Sequence, residues 1–256
     1  MISPKAIIDK NAKLAKNVEV GPFTVIGKDV EIDEGTWIAS NVVIQGPTKI
    51  GKHNRIYQFS SLGIECQDKK YHGEHTTLEI GDHNIFRESC SIHRGTALGR
   101  NSTTIGDHNL FMVNTHVAHD CIVGNHVVFS NGASIAGHVE VQDHVNLSGF
   151  VGVNQFCKIG AYSFAAGGSI IIKDIMPFMI VAGHPAKASG INLIGLERNN
   201  FDAKTINMLK KAYKIIFILS KTVADAIEKL QPLVADCPEI QLYINFIEQS
   251  KRGILR

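Results

Sequence analysis

Large aliphatic residues recur every six positions along most of this chain, from residue 2 to residue 176. A small or β-branched residue usually follows each of them four positions later, and the position directly after the aliphatic residue is often Gly or Asp, as at Gly21 and Gly51. Hexapeptide repeats of this kind are typical of a parallel β-helix, whereas the period fits neither an amphipathic helix nor an alternating strand. Three hexads would make one coil, so residues 18 apart would stack about 4.8 Å apart along the axis. We therefore predict an all-β fold, a parallel β-helix in which neighbouring coils stabilise one another. The Gly or Asp is expected to take the positive φ of each turn.

Two segments interrupt the repeat. The first spans residues 63–79, and the aliphatic series resumes at Ile80, 18 residues after Leu62, so this segment has the length of one coil and replaces it with polar, charged sequence. Long loops of this kind are often functional. The second spans residues 97–104, shifts the phase of the repeat by one residue, and is predicted to be a short surface loop.

The repeat ends at residue 176, which divides the chain into a β-helix over residues 1–176 and a different C-terminal part. Residues 177–191 lack the six-residue period, contain two prolines and are predicted to be a linker. Residues 192–256 are predicted to form an α-helical C-terminal domain. Its amphipathic segments are residues 201–220, 222–233 and 239–249.

Composition limits the function classes. The net charge of +2 argues against nucleic acid as a main partner. No apolar run reaches membrane-spanning length and no signal peptide is apparent. Five cysteines occur without a CxxC pair, and Cys121 and Cys157 would lie two coils apart, which is too far for a disulfide. These features favour a reduced, cytoplasmic location and no integral membrane segment.

Most of the twelve histidines are predicted to belong to the scaffold. Five of them occupy the fourth position of their hexads, where we expect an exposed ladder of turn residues at one corner. These are His53, His83, His108, His126 and His144.

His119 is the exception, because it occupies the third position of its hexad and is followed directly by Asp120. The 18-residue rule places Gly137 one coil further on in the same column and Gln155 two coils further on. His138 and Asn154 lie beside these column members, and His116 precedes His119 by three positions. A base, a carboxylate to orient it, and a glycine backbone N–H form a plausible set of groups for acyl transfer.

The pattern alone leaves other interpretations open. The same residues could be an ordinary polar stretch of β-helix surface. Metal catalysis of the kind found in trimeric β-helix carbonic anhydrases is disfavoured, because no two histidines here are five residues apart as they are in that site. Nucleophilic catalysis by Cys121 is disfavoured because its hexad position points inward.

Six short motifs occur along the chain in addition to the repeat: QDKKY (67–71), SIHRGT (91–96), NTHVAHDCIVGN (114–125), IAGHV (135–139), QFCKIG (155–160) and NLIGLER (192–198). Together they resemble the motifs of the UDP-N-acetylglucosamine 3-O-acyltransferase family of lipid A biosynthesis, and the resemblance covers nearly the whole chain. The hexad itself is shared by many acyltransferases, whereas this combination of motifs is specific.

The resemblance implies a homotrimer of left-handed β-helices with active sites between adjacent subunits. It also implies transfer of an (R)-3-hydroxyacyl chain from acyl carrier protein to the glucosamine 3-hydroxyl of a UDP-amino sugar, without a metal or other cofactor. By motif, His119 would be the general base, Asp120 would orient it, and the amide of Gly137 would stabilise the oxyanion.

The remaining family roles also map onto individual positions of this chain. The resemblance implies that sugar hydroxyls are held by Asp68 and His138. It implies that the sugar–diphosphate and acyl cleft is lined by His93, His116 and Gln155. It implies that the nucleotide and phosphates are held by Gln67, Lys70, Asn192 and Arg198. It implies that Gly167, which has no side chain, leaves room for a long acyl chain and acts as its ruler.

Three positions depart from the family pattern: Asn154 replaces a frequent His, Ile194 replaces a frequent carboxylate, and Asn199 replaces a second basic residue. These departures affect the expected nucleotide affinity and leave open whether the acceptor carries a 3-hydroxyl or a 3-amino group. Two alternative functions also remain: an acetyl-CoA-dependent hexapeptide acetyltransferase acting on an amino sugar, and a non-catalytic β-helix binding protein.

Overall fold

The fold is a three-sided prism of short parallel strands, closed at its carboxyl-terminal end by helices. The computed structural model describes residues 1–255. Within that range, 27 strands form three sheets, and the aliphatic residue of each hexad points into one continuous core. The predicted parallel β-helix with a C-terminal α-helical domain is confirmed.

The strands are mostly two residues long, because each hexad turns a corner after its aliphatic residue. In chain order they are β1 (Ile7–Ile8), β2 (Lys13–Leu14), β3 (Glu19–Val20), β4 (Val25–Ile26), β5 (Val30–Ile32), β6 (Trp37–Ile38), β7 (Val43–Ile44), β8 (Thr48–Ile50), β9 (Arg55–Ile56), β10 (Ser61–Ile64), β11 (Thr77–Ile80), β12 (Ile85–Phe86), β13 (Ser91–His93), β14 (Ser102–Ile105), β15 (Leu110–Phe111), β16 (His116–Val117), β17 (Ile122–Val123), β18 (Val128–Phe129), β19 (Ser134–Ile135), β20 (Glu140–Val141), β21 (Asn146–Leu147), β22 (Gly152–Val153), β23 (Lys158–Ile159), β24 (Phe164–Ala165), β25 (Ile170–Ile171), β26 (Met179–Gly183) and β27 (Ala186–Ile191).

Each face of the prism is one sheet. The first sheet has the order β1-β4-β7-β10-β13-β16-β19-β22-β25, and the second has the order β2-β5-β8-β11-β14-β17-β20-β23. The third sheet has the order β27-β26-β24-β21-β18-β15-β12-β9-β6-β3. Up to β25, successive strands therefore belong to successive faces, and pairing among these strands joins each one to the strands three before and three after it.

The strand register locates the two interruptions at one corner. His116 pairs with Ser134, 18 positions on, as the repeat predicts. Ser61 instead pairs with Ser91, 30 positions on, and Ser91 pairs with His116, 25 positions on. The first interruption thus adds twelve residues to a coil, and the prediction that it replaces a whole coil is wrong. The second adds seven. Both leave the prism where the chain passes from the first sheet to the second, which we call the loop corner.

The backbone at the corners differs from the prediction. The expected positive φ at Gly21 and Gly51 is wrong, because the positive φ falls two positions later on residues such as Phe23 and His53. The glycine is required for a steric reason instead. A Cβ atom on Gly21 would lie 2.6 Å from the carbonyl carbon of Ala39 in the next coil.

The predicted histidine ladder is confirmed and continues further than expected. The five rings stack with centroids 4.8–5.0 Å apart, and His144 stacks in turn on Tyr162 at 4.6 Å. Stacking at the spacing of the coils allows one ring to cover the next at the corner between the second and third sheets. The ladder is therefore part of the scaffold, and two of its members, His126 and His144, also line a cleft on the third sheet.

The segment predicted to be a linker is ordered structure. β26 pairs in parallel with β24 and antiparallel with β27, so residues 179–191 extend the third sheet. Met179 and Val181 are buried and alternate with less buried neighbours, a period of two that the search for a six-residue period does not detect. The end of the predicted loop over residues 97–104 is also strand, since Ser102 begins β14.

The helical segment contains α1 (Leu193–Arg198), α2 (Ala203–Lys214), α3 (Val223–Leu230) and α4 (Ile240–Gln249), with a π-helical turn over Ile215–Leu219 and a 3₁₀ turn over Gln231–Leu233. The three longer helices lie within the predicted amphipathic segments. Asp202 and Thr222 cap α2 and α3 by accepting backbone N–H bonds. The buried ring of Tyr243 contacts Phe178 of the last coil, with centroids 5.3 Å apart, which joins the helices to the prism.

All five cysteines are buried and unpaired, and the prediction from the coil spacing that Cys121 and Cys157 form no disulfide is confirmed. Among residues 1–255, no helix combines the length and apolar character needed to cross a bilayer.

Candidate active site

A cleft of about 590 Å³ runs along the first sheet beside the loop corner. Its floor is formed by outward-facing residues of β16, β19, β22 and β25, and its side by the corner turns and the first inserted loop. The polar side chains that line it are Gln67, Asp68, His93, His116, His119, Ser134, Asn154 and Gln155. The cleft therefore brings together most of the residues that the sequence singles out.

The predicted column is present in the turns of the loop corner. The amide of His138 donates to the carbonyl of His119 at 3.0 Å, and the amide of Phe156 donates to the carbonyl of Gly137 at 3.2 Å. These bonds place His119, Gly137 and Gln155 above one another in three successive coils. The spacing of 18 residues therefore predicts their proximity correctly.

His119 and Asp120 form a tight pair at the bottom of the cleft. His119 Nδ1 lies 2.8 Å from Asp120 Oδ2. The Asp120 side chain is 0% exposed and the His119 side chain 14% exposed, so only the imidazole reaches the cleft. With the Nδ1 proton donated to the carboxylate, Nε2 is left with a lone pair that can accept a proton. The geometry is that of a general base with its orienting carboxylate.

The Asp120 carboxylate is ionised although it is buried. Burial alone would raise its pKa, but hydrogen bonds from His119, from the hydroxyl and amide of Thr96 and from the amide of Arg100 outweigh burial and lower the pKa to about 2. The negative charge is thus retained throughout the physiological pH range, where it favours an imidazolium on His119 during proton transfer.

Gly137 provides both space and a free donor. A Cβ atom at this position would lie 2.5 Å from Cε1 and 2.6 Å from Nε2 of His119, so only glycine leaves room for the imidazole ring. Within residues 1–255 its backbone N–H donates to no protein acceptor. A free N–H beside the base is suitably placed to stabilise an oxyanion.

Three further histidines around the base are held neutral. Burial, together with the nearby imidazoles of His116 and His119, lowers the pKa of His93 to about 4. Burial also lowers the pKa of His116, whose Nδ1 lies 2.8 Å from Ser91 Oγ, and that of His138. Neutral imidazoles can donate to and accept from sugar hydroxyls, which suits an uncharged sugar ring.

The neutral state of His93 should make stability depend on pH. The unfolded chain binds a proton near the ordinary histidine pKa of 6.5, whereas folded His93 binds one only near pH 4. We expect the free energy of unfolding to fall by about 1.4 kcal/mol per pH unit from this group as the pH decreases from 6.5 to 4. Denaturant midpoints of the parent and of His93→Gln at several pH values would measure this, and equal slopes in the two proteins would contradict it.

His138 lies beside the base rather than in the main cleft. Its Nε2 is 3.9 Å from Asp120 Oδ2, and its ring packs edge-on against His119 and stacks on Phe156. His119, Asp120 and His138 are close enough to be considered as metal ligands. However, both oxygens of Asp120 already accept hydrogen bonds from the protein, so its carboxylate is satisfied without a metal ion.

Of the four predicted nucleotide-binding residues, Gln67 lines this cleft, whereas Lys70, Asn192 and Arg198 lie apart from it. Arg198 and Asn192 line a second cleft of about 570 Å³ on the third sheet, together with the departures Ile194 and Asn199. Asn192 is mostly committed to structure, since its side chain caps α1 through the amide of Gly195 and donates to the carbonyl of Tyr162.

Two other predicted residues also lie outside the main cleft. Lys70 is exposed in the first inserted loop, and its backbone N–H donates to Asp68 Oδ1 at 2.9 Å. Gly167 is exposed at the corner between the third and first sheets. A Cβ atom there would approach no non-neighbouring atom more closely than the carbonyl oxygen of Gly149 at 3.5 Å, so the surface beside it is open.

Sequence reasoning missed Thr96 and Thr103, which hold Asp120 from two sides. Thr96 is the last residue of the SIHRGT motif, so that motif could have identified Thr96 as a site residue. Cys121 is confirmed as a buried residue, and burial raises the pKa of its thiol to about 12, which disfavours a nucleophilic role.

A β-helix of hexapeptide coils with a His–Asp pair facing a free glycine amide defines the hexapeptide-repeat acyltransferase class. A family model described as bacterial transferase hexapeptide matches residues 102–137, and one described as UDP-N-acetylglucosamine O-acyltransferase, domain 2, matches residues 174–255. The acyl-[acyl-carrier-protein]–UDP-N-acetylglucosamine O-acyltransferase of Stutzerimonas stutzeri is 50% identical over 100% of this chain and 99% of its own length. The chain belongs to this O-acyltransferase family.

Solved structures agree with this assignment. The UDP-N-acetylglucosamine O-acyltransferase of Moraxella catarrhalis is 46% identical, with a TM-score of 0.98 and coverage of 100% of this chain and 99% of that one. The UDP-N-acetylglucosamine acyltransferase of Arabidopsis is 33% identical, with a TM-score of 0.86 and complete coverage of both chains. The fold and the family are thus established along the full length of the sequence.

Proposed function

We propose that this protein transfers an (R)-3-hydroxyacyl chain from acyl carrier protein to the glucosamine 3-position of UDP-N-acetylglucosamine, the first step of lipid A biosynthesis. The observation that carries the proposal is the His119–Asp120 pair, 2.8 Å apart, whose free Nε2 faces a cleft beside the unpaired amide of Gly137. The names of the full-length relatives, which specify an acyl-carrier-protein donor and this nucleotide sugar, support the same reaction.

The proposed chemistry begins with proton removal. Nε2 of His119 accepts the proton of the sugar 3-hydroxyl as its oxygen attacks the thioester carbonyl. Asp120 stabilises the resulting imidazolium without itself taking the proton, since its pKa is about 2. A positioned base of this kind contributes about 10²–10⁴-fold to the rate.

The tetrahedral intermediate then collapses to products. Its oxyanion accepts a hydrogen bond from the amide of Gly137, as the carbon–oxygen ester bond forms. The carbon–sulfur bond breaks, and the thiol of the carrier protein leaves with the proton that His119 had taken. One ester and one thiol replace one alcohol and one thioester, and the imidazole is neutral again.

The remaining cleft residues are suited to recognising the acceptor sugar. Asp68 presents a carboxylate that can accept hydrogen bonds from sugar hydroxyls, and it lies in the inserted loop, where the β-helix core does not require one. Gln67, His93, His116 and Gln155 add uncharged donors and acceptors along the cleft. His138 contacts the sugar in this proposal only if its ring turns towards the cleft from its position beside Asp120.

The nucleotide is proposed to be held by Gln67, Lys70, Asn192 and Arg198, with Arg198 supplying fixed positive charge for the phosphates. In a single chain Arg198 lies on the third sheet, whereas His119 lies at the edge of the first. A single substrate can contact both only if the second cleft of one chain faces the first cleft of another. Repeating that contact around a three-sided prism closes a ring, which supports a homotrimer.

We expect light scattering to give three times the chain mass of 28.0 kDa. A sharper test co-expresses His119→Ala with Arg198→Ala. Sites built from two chains should recover part of the parental activity in mixed trimers, although each variant alone is strongly impaired. A monomeric mass in an active preparation, or no recovery in verified mixed oligomers, would contradict the proposal.

The acyl chain is proposed to extend past Gly167, where the missing side chain leaves an open surface. A cytoplasmic location is proposed from the five unpaired, buried cysteines, which are typical of a reducing compartment. Neither a metal nor another cofactor enters the proposed steps.

The function is tested by mass spectrometry of the products from defined donors and acceptors. Hydroxyacyl-carrier protein and acetyl-CoA should each be offered with UDP-N-acetylglucosamine and with its 3-amino analogue. Acylation of the 3-hydroxyl by the carrier-protein donor is expected. Preference for acetyl-CoA would favour the acetyltransferase alternative, and binding without turnover would favour a non-catalytic protein. The acceptor comparison tests the consequence of Asn154, Ile194 and Asn199.

A further inference from the structure

Residues 96–101 form a segment at the start of the second interruption, and this segment wraps around the buried carboxylate of Asp120. The hydroxyl of Thr96 donates to Oδ2 at 2.6 Å, and its amide donates to Oδ1 at 3.1 Å. The amide of Arg100 donates to Oδ1 at 2.8 Å. With His119 on Oδ2, each oxygen of the carboxylate has at least two donors from the same chain.

Gly99 shows how closely the segment approaches. A Cβ atom at this position would lie 2.3 Å from the carboxyl carbon of Asp120. Asp120 is held from the other side as well, because its own backbone N–H donates to Thr103 Oγ1 at 2.8 Å. The segment therefore packs against the carboxylate directly, and a side chain at residue 99 would displace it.

The segment does not need the carboxylate in order to close its own turn. The amides of Gly99 and Asn101 both donate to the carbonyl of Thr96 at 3.1 Å, which fixes the turn independently. Thr96 is also absent from the residues that line the cleft. Its hydroxyl thus has one partner, Asp120, and no route to the substrate except through the His119–Asp120 pair.

We propose that Thr96 is a positioning residue for the reaction: its hydroxyl fixes Asp120 Oδ2 at 2.8 Å from His119 Nδ1 and thereby holds the imidazole in one tautomer and orientation. This inference rests on the proposed role of His119 as the base. The depressed pKa of Asp120, to which the Thr96 bonds contribute, agrees with a carboxylate held as the anion.

The expected consequence is a loss of turnover without a loss of binding. Thr96→Val keeps the shape of the side chain but removes the hydroxyl, so Oδ2 loses its shortest bond and the imidazole gains freedom. Small misplacements of a catalytic group cost about 10²-fold. We expect kcat to fall about 10- to 100-fold, with KM for the nucleotide sugar within about two-fold of the parent. Thr96→Ser retains the hydroxyl and should restore most of kcat.

The matched control is Thr76→Val. Thr76 is also a fully buried threonine, but its hydroxyl has no hydrogen-bond partner within residues 1–255. The same substitution there should leave kcat and KM near the parental values. Circular dichroism and light scattering at the assay temperature establish that each variant is folded and assembled.

A double variant separates a positioning role from a general structural one. If Thr96 acts through His119, Thr96→Val should cause no further loss of kcat in a His119→Ala background, whereas independent damage would multiply. Near-parental kcat in folded Thr96→Val, or a multiplicative loss in the double variant, would overturn the inference. Near-parental kcat in His119→Ala would instead overturn the base assignment, and an inactive parent would overturn the proposed function.

Discussion

His119→Ala is expected to lower kcat by about 10²–10⁴-fold, the range typical for removal of a general base. The sugar hydroxyl must lose its proton as it attacks the thioester, and His119 is the histidine that combines a carboxylate partner at 2.8 Å with a free backbone amide beside its ring. Binding of the nucleotide sugar and the melting temperature should change little, because the side chain lines a cleft and does not fill the core. Steady-state kinetics with a saturating donor would measure the effect.

The matched control is His108→Ala, which removes an exposed imidazole from the scaffold ladder and should leave kcat unchanged. A near-parental kcat for His119→Ala, or a larger loss in His116→Ala, would show that the base has been assigned to the wrong residue.

Gly137→Ala is expected to lower kcat about 10²–10³-fold, which is the cost of losing an oxyanion donor. The added methyl group would lie 2.5 Å from the His119 ring, so the ring must move away, the backbone must shift, or both. Either change separates the base from the amide that is proposed to hold the oxyanion. The loss should appear in kcat for every donor, since both groups act at the thioester carbonyl.

Gly149→Ala is the matched comparison for this substitution. Gly149 precedes a positive-φ corner residue, as Gly137 does, but the nearest non-neighbouring atom to its added methyl would be the carbonyl oxygen of Asn131 at an ordinary 3.6 Å. It should therefore keep a kcat close to that of the parent. If the two variants lose activity equally, the requirement is for glycine at corners in general and not for the space beside His119.

Much of the fold follows from the sequence because a period of six has few structural solutions. The six-residue spacing alone predicts the three-sided β-helix and its 18-residue register. The same spacing predicts the column of His119, Gly137 and Gln155. The six-residue spacing does not show which residue of a corner takes the positive φ, and the prediction that it is the Gly or Asp is wrong. The spacing also does not detect the alternation of Met179 and Val181, which marks a strand within the predicted linker.

The candidate site is predictable to the same extent. The 2.8 Å contact of His119 with Asp120 joins sequence neighbours, and the coil spacing provides Gly137. The bond from Thr96 to Asp120 spans 24 positions and crosses an insertion, so the repeat does not specify it. The separation of Arg198 from His119 was likewise not apparent from the sequence, because a list of motifs does not show which face of the prism each occupies.

The two ends of the prism are unequal, and this has a consequence for how such proteins can change in length. The carboxyl-terminal coil is covered by helices joined through Tyr243 and Phe178, whereas at the other end β1 and β2 have unpaired edges. Coils of 18 residues could therefore be gained or lost at the amino-terminal end without altering the spacing of the catalytic groups. A gain or loss of a single hexad inside the β-helix would instead move every later residue to the next face, so changes of length within the coils should proceed in whole turns.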